Sequence, residues 1–156
     1  MKKLLSILLG VVVITLTLPN AAVAETYDEE VHAVELLNEF RAEHGLKPFR
    51  WNPESDLQNA ANVRAYELLQ NFSHTRPDGT SCFSIFDEYG IRYRTCAENI
   101  AMGTGVDAEQ AMDMWINSPG HFENMANPAL EEVGFAYWLG DDEETVYWVQ
   151  LFLTRR

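Results

Sequence analysis

Apolar positions along the chain change period once. Up to about residue 125 they recur at helical spacing, and after it they alternate. Val31, Val34, Leu37 and Arg41 share one side of a helix predicted over about residues 28–44, flanked by Leu36 and Phe40 and stopped by Gly45. Asn52-Pro53-Glu54 reads as a cap, a first-turn proline and an acid. They open a second helix carrying Leu57, Ala60, Ala61, Arg64 and Leu68 to about Gln70. Phe83, Ile85, Phe86 and Tyr89 predict a short helix ended by Gly90, and residues 93–102 read as extended. A further helix over residues 107–117 has Ala111, Met114 and Trp115 on one face. Pro119 disfavours helix in the residue before it, so that helix should stop near Ser118. Ser118 and Pro119 then start another short helix, with His121 in its first turn. Val133, Phe135 and Tyr137 alternate, as do Val146, Trp148 and Phe152 with Gln150 interrupting, around a polar Gly140-Asp141-Asp142-Glu143-Glu144 connection. That is an antiparallel hairpin. Helices first and strands last imply an α+β fold, with helices packed on a small antiparallel sheet.

The first residues stand outside this pattern. Lys2 and Lys3 precede an apolar run from Leu4 to Leu18, and Ala22-Val23-Ala24 offers a small-x-small cleavage site. These features predict a secretory signal peptide over residues 1–24, cleaved to leave one domain over residues 25–156 and no membrane anchor. The whole chain carries a net charge of −13, which becomes more negative once the leader's two lysines are gone. Nucleic acid and anionic lipid are therefore excluded as partners of the general surface. Cys82 and Cys96 both lie in the exported part, where an oxidising compartment makes a disulfide between them the expectation. Closing that loop would contribute about 3 kcal/mol.

Familiar catalytic signatures are set aside first. Gly103-x-Gly105-x-x-Ala108 resembles a dinucleotide fingerprint, but Asp107 would put a carboxylate where a pyrophosphate should sit. H-E-x-x-H, G-x-S-x-G and P-loop patterns are absent from the sequence. His44 in a helix's last turn reads as a dipole contact, and His32 as solvated. His74, Glu98 and His121 remain, each in or beside a loop and each from a different part of the chain. A helix N-terminus disfavours imidazolium, so His121 should be neutral. Two imidazoles and a carboxylate could hold zinc with an open position, or could form a hydrogen-bonded polar cluster.

Four blocks add what spacing does not. They are Leu36-Leu37-Asn38-x-x-Arg41 with Gly45-Leu46-Lys47-Pro48-Phe49-x-Trp51-Asn52; Phe72-Ser73-His74-x-Arg76-Pro77-Asp78-Gly79; Ala97-Glu98-Asn99-Ile100-Ala101; and Trp115-x-Asn117-Ser118-Pro119-Gly120-His121-x-x-Asn124-Met125. Val133-Gly134-Phe135 and Trp148-Val149-Gln150-x-Phe152 follow in order. Together they resemble the family of cysteine-rich secretory proteins, antigen 5 and pathogenesis-related-1 proteins, the CAP or SCP-like domain, in its bacterial form. The resemblance implies a three-layer α-β-α sandwich with a small central antiparallel sheet and a cleft lined by two histidines and two acids. His74, Glu98 and His121 match three of the four. The fourth has no counterpart, because Trp115-Ile116-Asn117-Ser118 lacks the acid that eukaryotic relatives place after the tryptophan, and Glu123 occupies another place in the motif. The expectation is a secreted, extracellular or wall-associated domain of unassigned activity. It would bind a small ligand or an extracellular or cell-wall partner through this cleft. No cofactor is required; zinc or another divalent cation would take His74 and His121, with Glu98 as a third ligand or as the group orienting one imidazole. A metal-dependent hydrolase and a lipid- or sterol-binding protein are the alternatives.

Overall fold

The structure is a computed structural model that describes residues 20–156, with side chains from Glu29 onward. The predicted leader lies, for residues 1–19, outside the described residues. In chain order the elements are α1 (Asn20–Glu43), α2 (Asp56–Leu68), a 3-10 turn (Cys82–Ser84), α3 (Ile85–Glu88), β1 (Tyr93–Thr104), α4 (Ala108–Ile116), α5 (Pro119–Met125), β2 (Glu132–Leu139) and β3 (Thr145–Arg155). Among the described residues no helix is long and apolar enough to cross a membrane.

The three strands form one antiparallel sheet in the order β1-β3-β2, so the last strand of the chain is the middle of the sheet. That position explains its composition. Val146, Trp148 and Phe152 pack on one side, with the buried Gln150 between them, while Val149, Leu151 and Leu153 pack on the other. A strand covered on both faces reads as a near-continuous apolar run. The first side holds Ala33, Val34, Leu37 and Phe40 of α1, Ala111, Met112 and Trp115 of α4, and Met125 of α5. The second holds Leu57, Ala60, Ala61, Ala65 and Leu68 of α2 with Ile85 and Phe86 of α3. Helices on both faces of an antiparallel sheet make the α+β, three-layer α-β-α sandwich.

Two element boundaries differ from the sequence expectation. α1 extends N-terminally to Asn20 because Ala21 to Ala24 contains neither glycine nor proline to stop a helix. α2 starts at Asp56 and is capped by Ser55, whose hydroxyl accepts from the Gln58 amide at 3.0 Å. Asn52 instead closes a turn before the helix, accepting from the Glu54 amide at 3.0 Å. The close seat of α2 on the sheet depends on Gly134, where a Cβ would meet the Leu57 carbonyl oxygen at 2.5 Å. The α4–α5 join follows the sequence closely: Asn117 caps α4 by donating to the Asp113 carbonyl at 2.8 Å, and Pro119 opens α5.

The expected Cys82–Cys96 disulfide is not seen in this structure, where the two cysteines are separate thiols. Each has a different polar neighbour. The Cys82 sulfur lies within 4.8 Å of a Glu98 carboxylate oxygen, and Cys96 lies beside Tyr93.

Candidate functional site

Arg64 stands at a core position of α2, in line with Leu57, Ala60, Ala61 and Leu68, and its side chain is fully buried. A charge taken out of water needs a partner, and the partner is Glu98 on β1, itself only 1% exposed. Arg64 Nε donates to Glu98 Oε2 at 2.9 Å and Nη2 to Oε1 at 3.3 Å. The same guanidinium donates to Glu67 Oε2 at 2.7 Å and to the Ser73 carbonyl at 3.1 Å. Glu67 in turn accepts from Arg76 Nε and Nη2 at 3.0 and 2.6 Å, and Arg76 reaches Ser84 Oγ at 3.0 Å and pairs with Glu88. Alternating charge therefore runs from Glu98 through Arg64, Glu67 and Arg76 to Glu88, and it ties the loop bearing His74 to α2 and α3.

That loop is a small hairpin. The Gly79 amide donates to the Arg76 carbonyl at 2.9 Å, Gly79 has φ of +85°, and Thr75 bridges Ser81. The Cys82 amide donates to the His74 carbonyl at 3.0 Å. Held this way, His74 Nδ1 lies 2.8 Å from Glu98 Oε1 while its side chain stays 55% exposed. An ionised carboxylate only accepts, so Nδ1 is the nitrogen that donates to Glu98, and Nε2 is the one that faces away from it. Burial pushes the Glu98 carboxyl up, but the hydrogen bonds from His74 and Arg64 and the Arg64 charge outweigh it and hold the group below its ordinary value.

His121 arrives from the other helical layer. Glu98 and Asn99 are consecutive on β1 and face opposite sides of the sheet. Asn99 Nδ2 donates to the His121 carbonyl at 3.1 Å and to Gln150 Oε1 at 2.9 Å, and Asn124 Nδ2 donates to Asn99 Oδ1 at 2.8 Å. This buried amide cluster fixes α5 against β1, and β1 is an edge strand. β1 thus carries both contacts, with His74 supplied from the α2 side and the His121 backbone from the α5 side. Burial, and then the neighbouring His74 charge, push the His121 imidazole below its ordinary value, which keeps it neutral.

His74 and Glu98 are in direct contact, and His121 stands at the same edge outside that hydrogen bond. Asn117, in the place of the missing acid, caps α4, and Glu123 is exposed. His44 Nδ1 lies 2.7 Å from the Phe40 carbonyl, and His32 Nε2 lies 2.7 Å from Glu109 Oε1 on the exposed face between α1 and α4. Sequence reasoning passed over Arg64 and Cys82. Arg64 carried a legible signal, a cation at a core position of an amphipathic helix. Cys82 carried none, since its approach to Glu98 depends on the hairpin.

Donor atoms of His74, Cys82 and Glu98 all lie within 4.8 Å of one another. This trio does not suit a dication. Both Glu98 oxygens are engaged, the Arg64 guanidinium sits on them, and burial first, with the Glu98 charge second, pushes the Cys82 thiol up to about 12. His74 Nε2 and the His121 ring are the better donors, because neither is hydrogen-bonded to a described residue.

Helical layers on both sides of a three-stranded antiparallel sheet, with a histidine–glutamate pair at its edge, define the class of SCP-like domains. The chain belongs to the cysteine-rich secretory protein family, whose CAP model matches residues 34–152. It is 33% identical over 129 residues to the uncharacterized Bacillus subtilis protein YkwD, covering 81% of this chain and 47% of that protein. Among solved structures, it is similar to an extracellular protein containing an SCP domain from Bacillus anthracis, with a TM-score of 0.76 and 20% identity over 90% of this chain and 45% of that one. A cysteine-rich secretory protein from Staphylococcus aureus matches with a TM-score of 0.67 and 26% identity over 84% of this chain and 40% of that one. The chain spans less than half the length of these relatives.

Proposed function

We propose that this is an exported binding domain whose cleft at the β1 edge holds a divalent cation between the His74 and His121 imidazoles. Glu98 is the group that orients His74. The observation that carries the reading is the 2.8 Å contact between Glu98 and Nδ1 of an imidazole that is otherwise open to solvent. A carboxylate on one ring nitrogen fixes the tautomer and raises the basicity of the other, which is how metal-binding histidines are commonly supported. The neutral state of His121 supplies a second lone pair without competition from a proton. A bound cation would supply Lewis acidity and a docking point for an anionic or carbonyl group of a ligand. Export is supported by the leader's sequence and by the extracellular character of the Bacillus anthracis relative. The ligand would then be an extracellular or cell-wall small molecule or partner. The metal-dependent hydrolase alternative, with Glu98 as general base on water, has less support, because both Glu98 oxygens already accept hydrogen bonds from Arg64 and His74 and its carboxyl is held below its ordinary value.

Isothermal titration of the protein, His74→Ala and His121→Ala with zinc chloride tests the proposal. Saturable binding by the parent protein and its loss in both variants is expected. Absent heats, or equal heats in all three, overturn the metal reading.

A further inference from the structure

The start of β1 and the end of β3 meet at one corner of the sheet, and four of the chain's eleven basic residues gather there: Arg92, Arg94, Arg155 and Arg156. In a chain of net charge −13 this concentration is unusual. Arg155 is neutralised locally, by Asp56 at 2.5 Å and Glu132 at 2.9 Å. Among the described residues, no carboxylate lies within ion-pair distance of the other three. They line a cavity of about 330 Å³ with Asp87, the buried Ile91 and the half-buried Tyr93.

The arginines are positioned by the backbone. Tyr93 pairs with Arg155 and Thr95 with Thr154, so Arg94 is the extra residue of a β-bulge, a device that redirects a side chain. Arg94 Nε donates to the Arg155 carbonyl at 3.2 Å, and Arg156 Nε donates to the Tyr93 carbonyl at 2.8 Å. Arg156 is further tied through its amide to the Arg92 carbonyl at 3.1 Å. The guanidiniums of Arg94 and Arg156 are thus anchored by Nε and leave their terminal amino groups for a ligand.

We propose that this corner is a binding site for a phosphate ester bearing a hydroxylated group, separate from the cleft at His74 and His121. Guanidinium forks match the oxygens of phosphate and carboxylate alike. A carboxylate offers only two oxygens, whereas a phosphomonoester offers three that can be shared among three arginines. The cavity volume suits one such small group rather than a macromolecule. Asp87, which lines the same cavity, offers an acceptor for a hydroxyl on the ester.

The test is a titration of the full chain with glycerol phosphate, followed by NMR at the arginine Nε–H signals, with acetate as a second arm. Saturable shifts at Arg94 and Arg156, but not at the His74 and His121 imidazoles, are expected. Arg92→Gln, which removes an exposed side chain with no hydrogen-bond or ion-pair partner among the described residues, should weaken binding about tenfold at unchanged melting temperature. Arg92→Lys, keeping the charge but losing the fork, should give an intermediate affinity. The proposal is overturned by no saturation up to about 10 mM, by equal affinities of the parent protein and Arg92→Gln, or by acetate binding as tightly as the phosphate ester.

Discussion

Arg64 on α2 grips Glu98 on β1 with two hydrogen bonds, at 2.9 and 3.3 Å, inside the layer that packs α2 on the sheet. The pair joins structure to site, because Glu98 also holds His74. Removing one member of such a pair strands the other charge out of water, a change that typically costs about 3–5 kcal/mol. Arg64→Ala should therefore lower the urea midpoint strongly and release the His74 loop, which loses its tie through the Ser73 carbonyl. Arg64→Met, which fills the volume but leaves Glu98 unpaired, should be almost as damaging. Urea titrations of the three proteins check this. A midpoint for Arg64→Ala within error of the parent's would refute the structural role.

The thiols give a second check. Cys82 is buried, and desolvation raises both its pKa and that of Cys96. The thiolate is the reactive form, so both groups should react slowly with a disulfide reagent in the folded protein. Two thiols should titrate rapidly once the unreduced protein is unfolded in denaturant. A count of zero under those conditions would mean that the two cysteines are oxidised to each other in solution.

The layers were legible because each helix carried an apolar stripe and β3 a near-continuous apolar run, the pattern of a strand covered on both faces. The break between α4 and α5 at Ser118-Pro119 was legible because local backbone chemistry fixes it. The start of α2 was misplaced because two capping sequences compete three residues apart, and the Ser55 hydroxyl reaches the helix amide while Asn52 serves a turn. His74, Glu98 and His121 were singled out by loop position and family resemblance. What no local pattern encodes is that Glu98 spends both oxygens on Arg64 and His74. That arrangement arises when α2 closes on the sheet, and it leaves neither Glu98 oxygen without a hydrogen bond. The surroundings of Cys82 and Cys96 were hidden for the same reason, since compartment chemistry predicts pairing and only the packing shows that Cys82 lies beside Glu98 and Cys96 beside Tyr93.

Glu30 sets a pH dependence of stability independent of the cleft. It lies on α1, where burial pushes its carboxyl from 4.5 to about 7, and its nearest polar contact is a long one, 3.5 Å from Gln58 Nε2. The folded protein holds this proton more tightly than the unfolded chain, so the associated stability is fully present below about 4.5 and is lost as pH rises through about 7. Glu98 and Asp56 act in the opposite sense. Their carboxyls are held below the ordinary range, so their contribution is present above it and falls away in acid. Stability should accordingly pass through a maximum in mildly acidic solution and decline towards about pH 8. Glu30→Gln keeps the shape and removes the titration, so its urea midpoint should be flatter across that interval and exceed the parent's at the alkaline end. Parallel midpoint curves for the two proteins between about pH 5 and 8 would show that Glu30 is not the group responsible.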